Sequence, residues 1–300
     1  MKVLITGSSG QLGRALLESP PEGFHATGLT RKHCDLANRA QAHAVVLAHR
    51  PDLLINAAAY TQVDAAESER DAAYQVNAEG PRVLAEAVAE TGGRFIQIST
   101  DFVFSGNQSH AYLPHDDTSP LNVYGASKLA GEKFVLDILK GVAVVMRTAW
   151  VYSCYGSNFV RTMLRLMATR DSICVVSDQI GSPTWARSLS KAVWAAASKP
   201  EIGGVLQWTD AGVASWYDFA VAIQEEALVR GLLTRSIPIK PISAADYARQ
   251  SPTAATRPQF SILDLESTKG MLGIEPAHWR TNLRAMLDEI AASPLPGSFE

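Results

Sequence analysis

Lys2-Val-Leu-Ile-Thr-Gly7-Ser-Ser-Gly10-Gln-Leu-Gly13-Arg-Ala-Leu-Leu17 is the stretch on which the fold turns. Lys2 to Ile5 is a short buried-strand pattern, the glycines interrupt it, and Gln11 to Leu17 follows with helical spacing of its apolar residues. Glycines let such a turn pass close to a pyrophosphate, and the amides opening the next helix attract its negative charge. The spacing is Gly-x-x-Gly-x-x-Gly, one residue different from the common dinucleotide fingerprint. The strand before it and the helix after it therefore carry the assignment to nucleotide binding.

Outward from this turn the chain alternates strand and helix. Strands are expected at Phe24–Leu29, Asp52–Ile55, Arg94–Ile98 and Val142–Arg147. Helices are expected at Asn38–His49, at Ala65–Glu90 with one glycine, Gly80, and at Tyr124–Leu139. Alternation at this spacing implies βαβ units and a parallel sheet covered on both faces, an α/β doubly wound, Rossmann-type fold. After Trp150 the pattern loosens. Helices are expected at Phe159–Thr169, Leu189–Ser198, Trp216–Arg230 and Thr281–Ala292, with a strand at Ile173–Val176. Pro238, Pro241, Pro252 and Pro258 punctuate a loop-rich region. Residues 1–150 are read as a cofactor-binding domain, to which 185–210 can return, and 151–300 as a smaller C-terminal α/β substrate lobe with a frayed tail, Ser293–Glu300.

The composition fits an ordinary globule: 300 residues, 47% hydrophobic and 19% charged, with a mean hydropathy of zero. The 27 basic and 30 acidic residues leave a net charge of −3, which offers no broad field to a nucleic acid or an anionic membrane. No run approaches the ~18 apolar residues of a membrane span, and no targeting segment is expected, because Thr6–Gly10 interrupts the opening apolar run before an h-region could form. Cys34, Cys154 and Cys174 form no Cys-x-x-Cys, which points to reduced thiols and a cytoplasmic location. His25, His33, His43, His49, His110, His115 and His278 show no metal-binding spacing, and no metal site is expected.

Chemistry is concentrated at strand ends. Gly28-Leu-Thr-Arg31-Lys32 closes the second strand with basic residues instead of the acid that would hold a ribose 2′-hydroxyl. This favours NADPH, with NADH as the alternative. Asp35 is placed near the adenine. Asn56-Ala-Ala-Ala-Tyr60-Thr61 leaves room for a ligand against the backbone. Tyr124-Gly-Ala-Ser-Lys128 puts a phenol and an ammonium about one helical turn apart. The ammonium is expected to lower the tyrosine pKa toward working pH and so tune a proton donor. Ser99-Thr100-Asp101 ends the fourth strand, where the Thr100 hydroxyl can hydrogen-bond a ketone oxygen and Asp101 a sugar hydroxyl.

These motifs, in this order, resemble the extended short-chain dehydrogenase/reductase superfamily. Val63-Asp-Ala-Ala-Glu67, Ser99-Thr-Asp-Phe-Val-Phe104, Ser119-Pro-Leu-Asn-Val-Tyr-Gly125, Arg147-Thr-Ala-Trp-Val-Tyr152, Asn158-Phe159 and Asp178-Gln-Ile-Gly-Ser-Pro-Thr184 are similar to its dTDP-4-dehydrorhamnose reductase family, from Met1 to about Glu289. The resemblance implies reduction of a 4-keto nucleotide sugar by NADPH. It implies Tyr124 as proton donor, Lys128 as holder of the nicotinamide ribose, and Thr100 as assistant at the keto oxygen. Gly10, Gln11 and Leu12 would line the pyrophosphate, beside the Gly7 already read as part of the turn, Asp35 and Leu36 the adenine side, beside the basic Arg31, and Ala59, Tyr60 and Thr61 the middle of the cofactor. Val63, Asp101 and Trp150 would contact the sugar, the indole by stacking on a pyranose face. Asn158, Arg257 and Gln179–Pro183 would meet the nucleotide diphosphate.

The sequence also departs from the family. Some members dimerise through magnesium held by glutamates, in the first helix and after the Gly-x-Pro-Thr segment. Those places are read here as Ala15 and Arg187, with Glu289 alone remaining. Any homodimer is therefore expected to lack bridging magnesium. Phe102 stands where tyrosine is commoner. Two other readings are an epimerase or 4,6-dehydratase of the same superfamily, for which Phe102 replaces the required acid, and a non-catalytic NADP-binding regulatory subunit.

Overall fold

A computed structural model describes residues 1–251 and 253–292; Pro252 and the expected frayed tail, Ser293–Glu300, lie outside the described residues. In the first half, chain order is β1 (Lys2–Thr6), α1 (Gln11–Glu18), β2 (His25–Leu29), α2 (Arg39–His49), β3 (Leu53–Asn56), α3 (Val63–Ala66), α4 (Arg70–Tyr74), a π-helical turn (Gln75–Glu79), α5 (Gly80–Thr91), β4 (Arg94–Thr100), α6 (Val123–Ile138) and β5 (Ala143–Thr148). The second half runs β6 (Val151–Tyr152), α7 (Phe159–Thr169), β7 (Ile173–Val176), β8 (Ile180–Gly181), β9 (Thr184–Trp185), α8 (Ala186–Ala197), β10 (Gly204–Gln207), β11 (Ala214–Ser215), α9 (Trp216–Val229), β12 (Ile239–Ile242), α10 (Ala244–Gln250), α11 (Glu266–Leu272) and α12 (Trp279–Ala292).

Six parallel strands form the central sheet, in the order β2-β1-β3-β4-β5-β10. The inner strands β3 and β5 are buried along their whole length, as a sheet covered twice requires, while the edge strand β2 exposes His25 and Thr27. Within β3, Leu53 and Ile55 enter one core beside α1 and α8, while Leu54 enters the other beside α2 and α5. The chain leaves β1 toward β2 on one side and reaches β3 on the other. The strand order reverses there, which opens a crevice at the carboxyl ends of β1 and β3.

The helix expected over Ala65–Glu90 is broken. It divides into α3, α4, the π turn and α5, and Pro81, near the start of α5, accounts for the π turn. A proline lacks the N–H that would bond back four residues, and its ring crowds that carbonyl, here the carbonyl of Asn77. The extra residue of the π turn relieves the crowding. The freed carbonyl lies against α6, where a Cβ on Gly131 would sit 2.1 Å from the Asn77 oxygen.

The second half builds its own core from α7, α9, α12 and β7. Where prolines suggested only loop, the structure forms α10, α11 and β12. Pro241 is tolerated because β12 is the edge of a two-stranded parallel pair with β7. The three cysteines are free, and Cys34 and Cys154 are buried. Near the C-terminus the guanidinium of Arg187 joins Glu18 of α1 at 2.9 Å and Glu289 of α12. The acidic partner on α1 is thus Glu18, one turn beyond the expected Ala15, which is itself buried.

Candidate active site

A cavity of about 1000 Å³ runs along the carboxyl edge of the sheet, from the glycine turn to α6. Gly7 makes its floor. The residue has φ +67°, and a Cβ there would come within 2.6 Å of the Ala58 amide nitrogen, so neither the backbone conformation nor the space admits a side chain. The N-cap of α1 is Gly10, with no side-chain cap. The first amides of the helix are therefore left for an anion. Gln11 ties this turn to the second half of the chain: its Oε1 accepts hydrogen bonds from Ser153 Oγ and Asn158 Nδ2, both at 3.0 Å.

At the adenine end, Arg31, Asp35 and Leu36 all line the wall. Arg31 is largely exposed and 3.6 Å from the Asp35 carboxylate, so a phosphate arriving there has a mobile guanidinium to recruit. Cys34 lies beside them, its thiol pushed up to about 11, first by burial and then by the charge of Asp35.

At the opposite end, Ser99 and Thr100 close β4 and Tyr124 and Lys128 face them from α6. Asn122 caps α6 by accepting the Gly125 amide at 2.8 Å, which fixes where that helix begins. Burial pushes Tyr124 up to about 12; the facing Thr100 hydroxyl opposes the shift and the Asp101 charge adds to it. This reverses the expected lowering. Lys128 does not supply its positive charge to the phenol. Its Nζ donates to the Ile98 carbonyl at 2.6 Å, and burial holds the ammonium down to about 8, with Glu132 pulling it back up. Tyr124 is thus a neutral phenol with a proton to give.

Of the predicted residues, Gly7, Gly10, Gln11, Leu12, Arg31, Asp35, Leu36, Ala59, Tyr60, Thr61, Thr100, Tyr124, Lys128, Trp150 and Asn158 share this one wall. Val63, Asp101, Arg257 and Gln179–Pro183 do not. Val63 opens α3. Asp101 is 2% exposed and turned toward Thr100. The Arg257 guanidinium is committed to Asp64 at 2.8 Å and to the Ala255 carbonyl at 3.1 Å. Ser182 donates to the Gly212 carbonyl, and β8 pairs with β11. Asn158 reaches the wall as the N-cap of α7. Trp150, in a left-handed backbone conformation at φ +48°, stacks on Trp216 with centroids 3.5 Å apart. One indole face is already taken, so only the rest of the ring can meet a sugar.

Asn77 was missed. The π turn aims its side chain so that Oδ1 accepts the Tyr60 amide at 2.8 Å while Nδ2 donates to the Tyr60 carbonyl and to Ser127 Oγ. One amide thereby fixes the middle of the cavity to the helix carrying Tyr124. Pro81, four residues on, was the available signal.

The donor set fits a pyridine dinucleotide. Uncapped helix amides lie at one end, and two buried hydroxyls without partners, Ser99 Oγ and Thr148 Oγ1, lie in the wall at the other.

The family described as RmlD substrate binding domain matches residues 1–292. The dTDP-4-dehydrorhamnose reductase of Aggregatibacter actinomycetemcomitans is 39% identical over 290 residues, covering 94% of this chain and 97% of its own. A probable dTDP-4,6-dihydroxy-2-methyloxan-3-one 4-ketoreductase of Streptomyces antibioticus is 37% identical over 299 residues, covering 99% and 98%. The crystal structure of dTDP-4-dehydrorhamnose reductase from Bacillus anthracis in complex with NADP has a TM-score of 0.88 at 36% identity, with 96% of this chain and 99% of that chain covered. Likeness of this extent, end to end and in the folded shape as well as the letters, makes the chain a member of the RmlD substrate-binding-domain family.

Proposed function

We propose that the protein is an NADPH-dependent reductase of the 4-keto group of dTDP-4-dehydro-6-deoxy-L-mannose, giving dTDP-L-rhamnose. The observation that carries this reading is the single cavity joining the uncapped α1 turn to the facing hydroxyls of Thr100 and Tyr124. Gly7 to Leu12 would hold the pyrophosphate, Arg31 the 2′-phosphate, and Ser99, Thr148 and Lys128 the nicotinamide half. When bound, the cofactor supplies a hydride to the ketone carbon.

The chain's own task is orientation and the proton. Tyr124, neutral well past working pH, delivers its proton to the oxygen that becomes the alcohol. Thr100 steadies that oxygen as charge develops on it. Lys128, fixed by the Ile98 carbonyl, would meet the nicotinamide ribose. Phe102 packs edge-on against Tyr124 with centroids 5.7 Å apart. It has no proton to move at neighbouring ring carbons, which disfavours a dehydratase. We read the setting as cytoplasmic and the partner as a small nucleotide sugar rather than a nucleic acid, with free cysteines and the net charge of −3 in support.

Absorbance of reduced nicotinamide, followed with enzymatically generated dTDP-4-dehydrorhamnose, tests the proposal. Stoichiometric oxidation of NADPH is expected. A sugar converted without net loss of NADPH would mean an epimerase or dehydratase, and tight NADPH binding with no turnover would mean a regulatory subunit.

A further inference from the structure

Glu132 is a buried carboxylate with no part in the proton delivery. It follows Lys128 by one turn of α6, and the two residues are 1% and 4% exposed. Side chains on a helix lean toward its N-terminus, so Glu132 leans back over the turn that carries Lys128. A buried ammonium with a carboxylate four residues away would ordinarily pair with it. Lys128 does not. Its Nζ donates to a neutral acceptor, the Ile98 carbonyl, at 2.6 Å, and the side chain lines the cavity wall, of which Glu132 is no part. The carboxylate is filled from the other side. Arg147 of β5 donates Nε to both Glu132 oxygens, at 3.1 and 3.2 Å, and Nη2 to Oε2 at 2.8 Å. The guanidinium is itself held in place: Nη1 donates to the Pro114 carbonyl at 3.0 Å, and Cζ lies 5.0 Å from the centre of the Phe104 ring. Among the described residues Arg147 is the one ion-pair partner of Glu132.

We propose that Arg147 is a positioning residue: by occupying the Glu132 carboxylate it leaves Lys128 free to face the nicotinamide end of the cavity, a role that rests on the reductase reading. Two cations and one anion are buried together between α6 and β5, so one cation must go without the carboxylate. A guanidinium is the stronger claimant, because its planar fork matches both carboxylate oxygens while an ammonium is a point charge. Lys128 is the cation left over, and it turns to the strand carbonyl beside the cavity. The Glu132 charge still reaches it, opposing the lowering that burial imposes on the ammonium. Without the guanidinium the carboxylate is a buried charge with no partner, and Lys128 is the cation on its own face of α6. Lys128 then swings to Glu132, and the cavity loses the group assigned to the nicotinamide ribose.

The test reads NADPH affinity by fluorescence, and the position of Lys128 by crystallography, in the wild type, Arg147→Met and the double variant Arg147→Met/Glu132→Gln. In Arg147→Met, NADPH should bind about tenfold or more weakly, and Lys128 Nζ should leave the Ile98 carbonyl for Glu132. Neutralising the carboxylate as well should return the affinity to within about threefold of the wild type, because a buried ion pair replaced as a pair costs little. Damage to packing alone predicts the opposite order, since the double variant gives up more contacts than the single one. Should Arg147→Met not fold, Arg147→Lys takes its place: the buried charges still balance, but one ammonium cannot cover both oxygens, and Lys128 should be drawn to Glu132 with a smaller loss of affinity. Lys128 still on Ile98 in the folded Arg147 variant, an NADPH affinity unchanged there, or a double variant that binds no better than that single variant would overturn the proposal. A wild type that binds no NADPH would instead sink the reductase reading, and the position of Lys128 in the variants would still decide what Arg147 does.

Discussion

Tyr124 and Lys128 occupy neighbouring positions on α6 yet answer to different surroundings. The phenol is kept protonated by burial and by the negative charge of Asp101, and the ammonium is anchored on a main-chain oxygen. Replacing Tyr124 with Phe removes the proton and little else, because the ring still packs against Phe102. Turnover should fall about 10²- to 10⁴-fold, with the dissociation constant for NADPH, read by fluorescence, nearly unchanged; a fully active variant would refute the proton-donor role. Thr100, Tyr124 and Lys128 were legible because a sheet edge and a helical turn bring their backbone positions together. Arg257 and Asp101 were not. The Arg257 guanidinium has chosen Asp64, a partner 193 residues away, and Asp101 has turned inward to its neighbour's hydroxyl. Local pattern holds no record of either choice.

Among the elements, the π turn decides the placement of the rest. It aims Asn77 at Tyr60 and Ser127, and its displaced carbonyl leaves room on α6 only for Gly131. Gly131→Ala should force α6 away from the turn. A loss of about 1–3 kcal/mol in urea unfolding is expected, accompanied by a lower kcat because Lys128 rides on the same helix; an unchanged unfolding midpoint would contradict the close contact. Strands β1, β3, β4 and β5 were readable from short apolar runs bounded by turn residues, which a doubly covered sheet demands. The π turn over 75–79 was hidden by a continuous helical periodicity, since periodicity registers side chains and Pro81 acts through the backbone. Strand β12 was hidden by Pro241, a breaker in a central strand and harmless on an edge.

For the molecule as a whole, two buried carboxyls contribute to the pH response of stability. Asp210, 1% exposed, accepts the Trp185 amide at 3.0 Å through Oδ2 and leaves Oδ1 unpartnered. Burial pushes it from 3.8 to about 6, as it does Asp101, with the hydrogen bond from the Trp185 amide opposing the shift. An acid whose pKa is higher folded than unfolded stabilises the fold while it is protonated and gives that up as pH rises through the folded value. Between about pH 4 and pH 7 each carboxyl should therefore withdraw on the order of 3 kcal/mol. Asp210→Asn, unfolded with urea across that range, should lose less stability than the wild type by about this amount, and parallel curves for the two proteins would refute it.

Strand β10 comes from beyond residue 200 and seals β5, register Val205 to Val145, while α8 rests on α1. A polypeptide cut after Trp150 would expose a naked row of β5 amides and carbonyls and strip Leu12 and Leu16 of their cover. Such a fragment should clump rather than fold into a miniature dinucleotide binder. The two halves of the polypeptide are thereby stitched through a common sheet, so neither half has a finished edge without the other.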